Sequence, residues 1–148
     1  MIRFVIGGIH QGKRAFACRQ FPAFCEQMES QMAEPGKEKL DVSDFLDGKL
    51  VSWEEFVHGR YTCNLHQMIR RRLEAGERAA ELEAGMARDL IQACPDRILI
   101  TDEIGYGIVP IDPFEREYRE LTGRICCQLA AEAKEVWRVT AGIGIRIK

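Results

Sequence analysis

Apolar residues along the chain follow two different spacings, and these spacings predict alternating strands and helices. Short runs rich in β-branched residues predict strands at residues 3–6, 97–101 and 135–140. Between them, apolar residues recur at helical spacing, which predicts helices at residues 15 to about 32, 62–73, 77–93 and from Pro113 onward. Pro22 either kinks or ends the first of these helices. This alternation is typical of an α/β protein with a mostly parallel sheet.

Weaker patterns predict the remaining elements. Residues 40–42 are expected to form a short strand, Asp47 and Gly48 a turn, and Ser52 the cap of a further helix. Near the end of the chain, isoleucine alternates with other residues from 143 to 147, as in a half-exposed edge strand. That strand should pair with residues 135–140 in an antiparallel hairpin.

Composition restricts the classes of function. The 148 residues are expected to form one domain, residues 1–148. With 21 basic and 23 acidic residues the net charge is -2, so we expect no nucleic-acid partner and no general attraction to anionic membranes. No apolar stretch is long enough to span a bilayer and no secretory signal is evident, which predicts a cytoplasmic protein. The six cysteines form no C-x-x-C pair, so we assign them no chemistry.

The first predicted strand runs directly into a glycine-rich segment. Gly7, Gly12 and Lys13 match the phosphate-loop pattern G-x-x-x-x-G-K. Glycines let backbone N–H groups curl around a polyphosphate, and the following helix adds partial positive charge at its N-terminus. We therefore expect a nucleoside triphosphate, GTP or ATP, to bind here, with Lys13 at the terminal phosphates; the alternative is a plain glycine turn. The predicted nucleotide-binding residues are Gly7, Gly8, Ile9, His10, Gln11, Gly12, Lys13 and Arg14.

Position 14 departs from the motif, and two acids elsewhere in the chain are candidates to replace the missing Mg²⁺ ligand. The motif usually ends in Ser or Thr, whose hydroxyl helps to hold Mg²⁺, whereas Arg14 cannot coordinate a cation. Asp102 and Glu103 follow the buried strand at residues 97–101, where open α/β sheets place their ligands, and resemble a Walker B element. They are predicted to hold Mg²⁺ or to polarise an attacking group. The alternative is an acidic loop without a ligand.

Four ordered motifs resemble one family. They are the phosphate loop, T-D-E-I-G-Y-G-I-V-P at residues 101–110, Y-R-E-L-T-G-R at residues 118–124, and E-V-W-R-V followed by G-I-G at residues 135–144. Together they resemble the adenosylcobinamide kinase / adenosylcobinamide-phosphate guanylyltransferase family of cobalamin biosynthesis. The resemblance covers the start of the chain and everything from about residue 97 onward.

This resemblance implies a fold and an activity. The fold would be a three-layer P-loop NTPase fold, a RecA-like and mostly parallel sheet with a C-terminal antiparallel edge hairpin. The activity would be a kinase, a guanylyltransferase or both, acting on adenosylcobinamide or its phosphate with GTP or ATP and Mg²⁺. A homo-oligomer, a trimer in the family, is also implied. Arg119 and Arg124 would offset charge on the transferred group.

The chain also departs from this family. Arg14 and Asp102 replace a serine and an asparagine, the middle is short, and the family's second strand and guanylylated-histidine segment have no clear counterpart. His66 is the candidate guanylyl acceptor because Arg70 follows one helical turn later; the alternative is an ordinary half-buried histidine. The candidate catalytic residues are thus Lys13, Glu103 and His66. The competing function is a nucleotide-binding protein that has lost catalysis and serves in regulation or assembly.

Overall fold

A computed structural model describes residues 1–21 and 39–148 of the chain. The described strands are β1 (Ile2–Gly7), β2 (Leu46–Asp47), β3 (Tyr61–Cys63), β4 (Arg97–Asp102), β5 (Glu135–Thr140) and β6 (Ile143–Arg146). The described α-helices are α1 (Lys13–Gln20), α2 (Trp53–His58), α3 (Leu65–Glu74), α4 (Ala79–Ala93) and α5 (Pro113–Glu132). Helix α1 ends at Gln20, just before Pro22, and the part of the predicted helix from residue 22 to about 32 lies outside the described residues. Within the described ranges, no helix is both long and apolar enough to cross a membrane.

All six strands join one sheet in the order β2-β3-β4-β1-β5-β6. Every neighbouring pair is parallel except β5 and β6, which form the antiparallel hairpin at the sheet edge. In the central pair Ile2 lies opposite Arg97 and Gly7 opposite Asp102. The carboxyl ends of β1 and β4 are therefore level. The predicted α/β architecture, with a mostly parallel sheet and a C-terminal hairpin, is confirmed.

Two hydrophobic clusters cover the two faces of the sheet. Successive residues of a strand point to opposite faces. Ile98 and Ile100 of β4 accordingly pack with Phe16 of α1 on one face, while Leu99 packs with residues of α3, α4 and α5 on the other. Because helices cover both faces, every residue of β4 is buried. The result is a three-layer α/β/α arrangement.

The predictions for the middle of the chain were partly wrong. Residues 40–42 do not form a strand, because the Asp41 carboxylate accepts a hydrogen bond from the Ser43 N–H and caps a 3-10 turn at Val42–Asp44. The predicted helix at residues 62–73 begins later, since Thr62 and Cys63 belong to β3. Asn64, with φ of 58°, turns the chain between that strand and α3.

Helix starts follow the local sequence closely elsewhere. Ser52 caps α2 through a reciprocal pair of hydrogen bonds with Glu55, as predicted. Pro113 occupies the first turn of α5 behind the Asp112 cap. Helix α1 begins at Lys13, two residues before the predicted start, so the lysine belongs to the first turn of the helix.

Candidate active site

The segment between β1 and α1 needs glycine at two positions. A side chain on Gly7 would place its Cβ 2.3 Å from the Val139 carbonyl oxygen. Gly12 has φ of 77°, in the left-handed region, and forms the N-cap of α1. These constraints lead the chain from the buried end of β1 into the first turn of α1, where unpaired N–H groups suit an anion.

The β5–β6 hairpin holds this loop from behind. The Gln11 side-chain oxygen accepts a hydrogen bond of 2.5 Å from the Ala141 N–H. The Gln11 carbonyl accepts one of 2.9 Å from the Gly142 N–H. Gln11 therefore ties the loop to the turn of the hairpin through both its side chain and its backbone.

Lys13 lies at the carboxyl end of β4. Its Nζ atom is 2.6 Å from Oδ1 of Asp102 and donates a hydrogen bond of 2.6 Å to the Gly8 carbonyl. The side chains of Lys13 and Asp102 are only 8% and 11% exposed. The structure thus brings together the lysine of the loop and one of the two predicted acids.

His66, in the first turn of α3, contacts the same carboxylate. Its Nδ1 atom accepts a hydrogen bond of 3.3 Å from the Asp102 N–H, and its Nε2 atom lies 3.7 Å from Asp102 Oδ2. Acceptance at Nδ1 assigns the proton of the neutral ring to Nε2. Burial, assisted by the nearby Lys13 charge, lowers the pKa of His66, although Asp102 opposes this shift. The structure therefore favours a neutral imidazole.

These groups line a cavity of about 610 Å³, here called the loop cavity. Lys13, Arg14 and Lys49 bring positive charge to it, while Asp47 and Asp102 bring negative charge. The other lining residues are Ile9, His10, Gln11, Gly12, Ala15, Val42, Cys63, Asn64, His66, Gln67 and Ile100. A concave site with convergent charges next to a helix N-terminus suits a polyphosphate.

Asp47 is a component of this cavity that the sequence pattern did not reveal. Its Oδ1 atom accepts hydrogen bonds of 2.8 Å from Asn64 Nδ2 and from the Lys49 N–H. The residue was predicted to form a turn, and a two-residue strand such as β2 leaves no periodicity to detect. In the structure Asp47 ends β2, at the same edge of the sheet as Asp102.

Glu103 points away from Asp102, as expected for consecutive residues at the end of a strand. Its Oε2 atom accepts a hydrogen bond of 3.1 Å from Arg138 Nε, and Arg138 Nη2 donates one of 3.0 Å to the Tyr106 hydroxyl. This hydrogen bonding with Glu103 raises the pKa of Arg138. Glu103 and Tyr106 line a second cavity, of about 450 Å³, against α5, here called the α5 cavity. Arg138 was not among the predicted site residues.

The structure does not bring the predicted arginines of α5 to either cavity. Arg119 donates a hydrogen bond of 3.1 Å to the Ile108 carbonyl. Arg124 forms ion pairs with Glu83 and Glu120, and the hydrogen bond to Glu83 is the largest cause that raises its pKa. Neither arginine is among the residues that line the two cavities. Their role toward a transferred group stays a prediction.

The fold and the cavity together define a class. A G-x-x-x-x-G-K loop between a strand and a helix characterises the P-loop fold of nucleotide-binding α/β proteins. In this chain the lysine of the loop lies against Asp102 on the adjacent parallel strand. The model of the cobinamide kinase / cobinamide phosphate guanyltransferase family matches residues 61–147, and the chain belongs to this family. The match runs from β3 to β6, so the interpretation of the phosphate loop depends on the geometry above.

Two curated relatives match the chain. It is 43% identical over 76 residues to the bifunctional adenosylcobalamin biosynthesis protein CobU of Escherichia coli (strain K12), which covers 51% of this chain and 42% of the relative. It is 44% identical over 75 residues to the protein of the same name from Salmonella typhimurium, covering 50% of this chain and 41% of the relative. The matched region is thus less than half the length of either relative.

Proposed function

We propose that the chain is a nucleotide-dependent kinase that transfers a phosphoryl group to an alcohol of adenosylcobinamide. The observation that carries this proposal is the position of Lys13. Its ammonium lies in the loop cavity, at the end of the glycine loop and beside Asp102. Family membership supplies the acceptor, because a cobinamide kinase makes cobinamide phosphate. GTP or ATP would supply the phosphoryl group.

The residues of the loop cavity would act by positioning and by charge. Backbone N–H groups at the start of α1 and the Lys13 ammonium would hold the β- and γ-phosphates. Arg14 adds a second cation beside them. The acceptor oxygen would bond to the γ-phosphorus as the bond from that phosphorus to the bridging oxygen breaks, releasing the nucleoside diphosphate. The hydroxyl proton would pass to a carboxylate, for which Glu103 is the candidate.

The carboxylates of the loop cavity fit Mg²⁺. This ion keeps several waters in such sites and takes one or two carboxylates plus the substrate's phosphates. Asp47 and Asp102 offer two carboxylates to the loop cavity, whereas Glu103 lines the α5 cavity. Among the described residues, no group of three or more acids, histidines or cysteines is placed to hold a metal ion. Bound Mg²⁺ would neutralise charge on the phosphates.

A second candidate activity is guanylyl transfer through His66. The neutral, buried imidazole lines the loop cavity, and a neutral nitrogen is required for attack on phosphorus. However, both ring nitrogens already face Asp102: Nδ1 accepts a hydrogen bond from its N–H, and Nε2 lies 3.7 Å from its carboxylate. The ring would therefore have to turn before it could react. We therefore place the kinase first.

GTP labelled at the α-phosphorus tests this second activity, because attack of the His66 nitrogen on that phosphorus would release pyrophosphate and leave the labelled guanylyl group on the protein. A phosphoramide is labile in acid and stable in base. Wild-type protein and the control His58→Ala should then retain a label of that kind, while His66→Ala should lose it. Wild-type protein that phosphorylates adenosylcobinamide without acquiring an acid-labile label would be a kinase only.

We also propose that copies of the chain associate into a homo-oligomer, specifically a trimer. It is supported by the edge strand β6, where Ile143 and Ile145 are 71% and 64% exposed. Unpaired edges and exposed apolar patches mark interaction sites. Sedimentation of the purified chain would measure its mass.

Phosphoryl transfer is the direct test of the proposed function. The chain would be incubated with adenosylcobinamide, Mg²⁺ and GTP or ATP labelled at the γ-phosphorus. Label should appear in a corrinoid product with either nucleotide or with both. Tight triphosphate binding without any transfer would instead support the competing function, a nucleotide-binding protein without catalysis.

A further inference from the structure

The α5 cavity lies on the face of the sheet opposite α1. Phe4, Ile6 and Val136 form its floor on the sheet, and α5 forms its wall. Most of this lining is apolar. Apart from Thr122 of α5, its polar side chains lie at or just after the carboxyl end of β4, where Arg138, outside the lining, joins Glu103 to Tyr106. The cavity therefore suits a largely apolar ligand that carries a few hydrogen-bond donors at one end.

The two cavities meet at one residue. Asp102 lines both the loop cavity and the α5 cavity, with Thr101 and Glu103 next to it on the α5 side. A transfer between two ligands requires their reacting groups to lie side by side. A ligand in the α5 cavity would reach the carboxyl end of β4 from the side opposite the glycine loop.

Gly123 supports this inference from the helix side of the cavity. It lies in the interior of α5, where glycine destabilises a helix relative to alanine. A Cβ built at this position would meet nothing within 4 Å, so no contact requires the glycine. Its effect in the fold is to leave open space in the wall of the α5 cavity.

We propose that the α5 cavity binds the alcohol-bearing side chain of the acceptor, an uncharged and largely apolar arm with hydroxyl or amide donors. This inference rests on the proposed kinase function. The cavity, of about 450 Å³, has room for such an arm. The rest of the acceptor would lie outside, on the side chains of Tyr106, Ile108 and Val109, which are 72%, 91% and 72% exposed. Glu103 would accept a hydrogen bond from the arm.

Gly123→Leu is the variant that tests the cavity. The added side chain fills open space and favours the helix, so the fold should persist. Gly85→Leu is a matched control. That glycine lies inside α4, where a Cβ would meet only the ends of the Arg88 and Asp89 side chains at 3.5 and 3.7 Å, and it lines neither cavity.

Equilibrium dialysis with adenosylcobinamide, without nucleotide, gives the readout. Gly123→Leu should bind about 10-fold to 200-fold more weakly than wild type, the range expected when a fitted apolar pocket is altered. Its triphosphate affinity and the acceptor affinity of Gly85→Leu should not change. Adenosylcobinamide should also slow alkylation of Cys127, an exposed thiol in the cavity wall, and leave alkylation of Cys94 unchanged.

Equal acceptor affinity in the three proteins would overturn the inference. So would a Gly123→Leu effect confined to sedimentation, which would identify the cavity as a contact between copies of the chain. The two proposals fail separately. Wild type that binds adenosylcobinamide at this cavity but transfers no phosphoryl group would refute only the kinase. An active Gly123→Leu with an unchanged acceptor KM would refute only the cavity.

Discussion

The ammonium nitrogen of Lys13 lies 2.6 Å from a carboxylate oxygen of Asp102, and both side chains are almost fully buried. Each charge is thus neutralised by the other at the carboxyl edge of the sheet. A bound triphosphate would compete with Asp102 for the same ammonium. This relationship links the stability of the fold to the site.

Removing one member of the pair should destabilise the protein more than removing both charges. Lys13→Met leaves the Asp102 carboxylate buried without its partner, and we expect the free energy of unfolding to fall by about 3 kcal/mol. The double variant Lys13→Met/Asp102→Asn should recover most of this loss. Urea denaturation of the three proteins measures the effect. A double variant as unstable as the single one would show that the pairing is not the cause.

Arg14 should reduce the need for magnesium in nucleotide binding, because its guanidinium can offset phosphate charge directly. We expect Arg14→Ser, which restores a hydroxyl, to show the larger change in triphosphate affinity when Mg²⁺ is withdrawn. Calorimetry with Mg²⁺ and with a chelator gives, for each protein, the ratio of the two triphosphate affinities. Equal loss of affinity in the two proteins would exclude this role.

Burial of His66 predicts a pH dependence of stability in the absence of nucleotide and metal. Its folded-state pKa lies below the ordinary value of 6.5. As pH falls through the ordinary value, the histidine of the unfolded chain takes up a proton before that of the folded chain does. The free energy of unfolding therefore decreases. The decrease ends below the folded-state pKa.

His66→Asn keeps a hydrogen-bond acceptor and cannot titrate. Its stability should change less than that of wild type between about pH 7 and about pH 5. His58→Asn, at an exposed position, is the control and should keep the wild-type slope. If wild type and His66→Asn have the same slope, the group responsible lies elsewhere.

Arg97 should be essential to the fold although it lies outside both cavities. Its buried guanidinium donates hydrogen bonds of 2.6 to 3.2 Å to the carbonyls of Phe56, Val57, Gly59 and Leu90. Burial lowers the pKa of Arg97 to about 10. A lysine cannot reach four carbonyls with one nitrogen, so Arg97→Lys should cost about 3 kcal/mol in urea denaturation. The exposed control Arg88→Lys should cost little, and an equal loss in both would refute the role of Arg97.

The long elements were predictable because each one satisfies its own periodicity. Strand β4 is a continuous apolar run, and α5 carries an apolar stripe from Tyr118 to Leu129 behind a proline. The short strands β2 and β3 were missed because two or three residues show no period. Thr62 and Cys63 fit a helical pattern equally well until Asn64 turns the chain.

The candidate site was predictable where its residues belong to one short stretch of sequence. The glycine loop and Asp102 come from a local motif and from the end of a long strand. Asp47 and Arg138 join the site only because the sheet order places distant segments side by side. The separation of Asp102 from Glu103 follows from the alternation of side chains at the end of β4, which a local motif does not show.

The central claim is that the loop cavity holds the triphosphate through Lys13. Calorimetric titration with GTP and with ATP would compare wild type, Lys13→Ala and the exposed control Lys134→Ala, with circular dichroism as the check on folding. If Lys13→Ala does not fold, the double variant Lys13→Ala/Asp102→Asn takes its place in the titration. We predict that loss of Lys13 weakens triphosphate binding at least about tenfold, because at least one charge-assisted contact to phosphate is lost. Lys134→Ala should bind as wild type does. Equal triphosphate affinity in folded wild-type and Lys13-deficient proteins would contradict the claim.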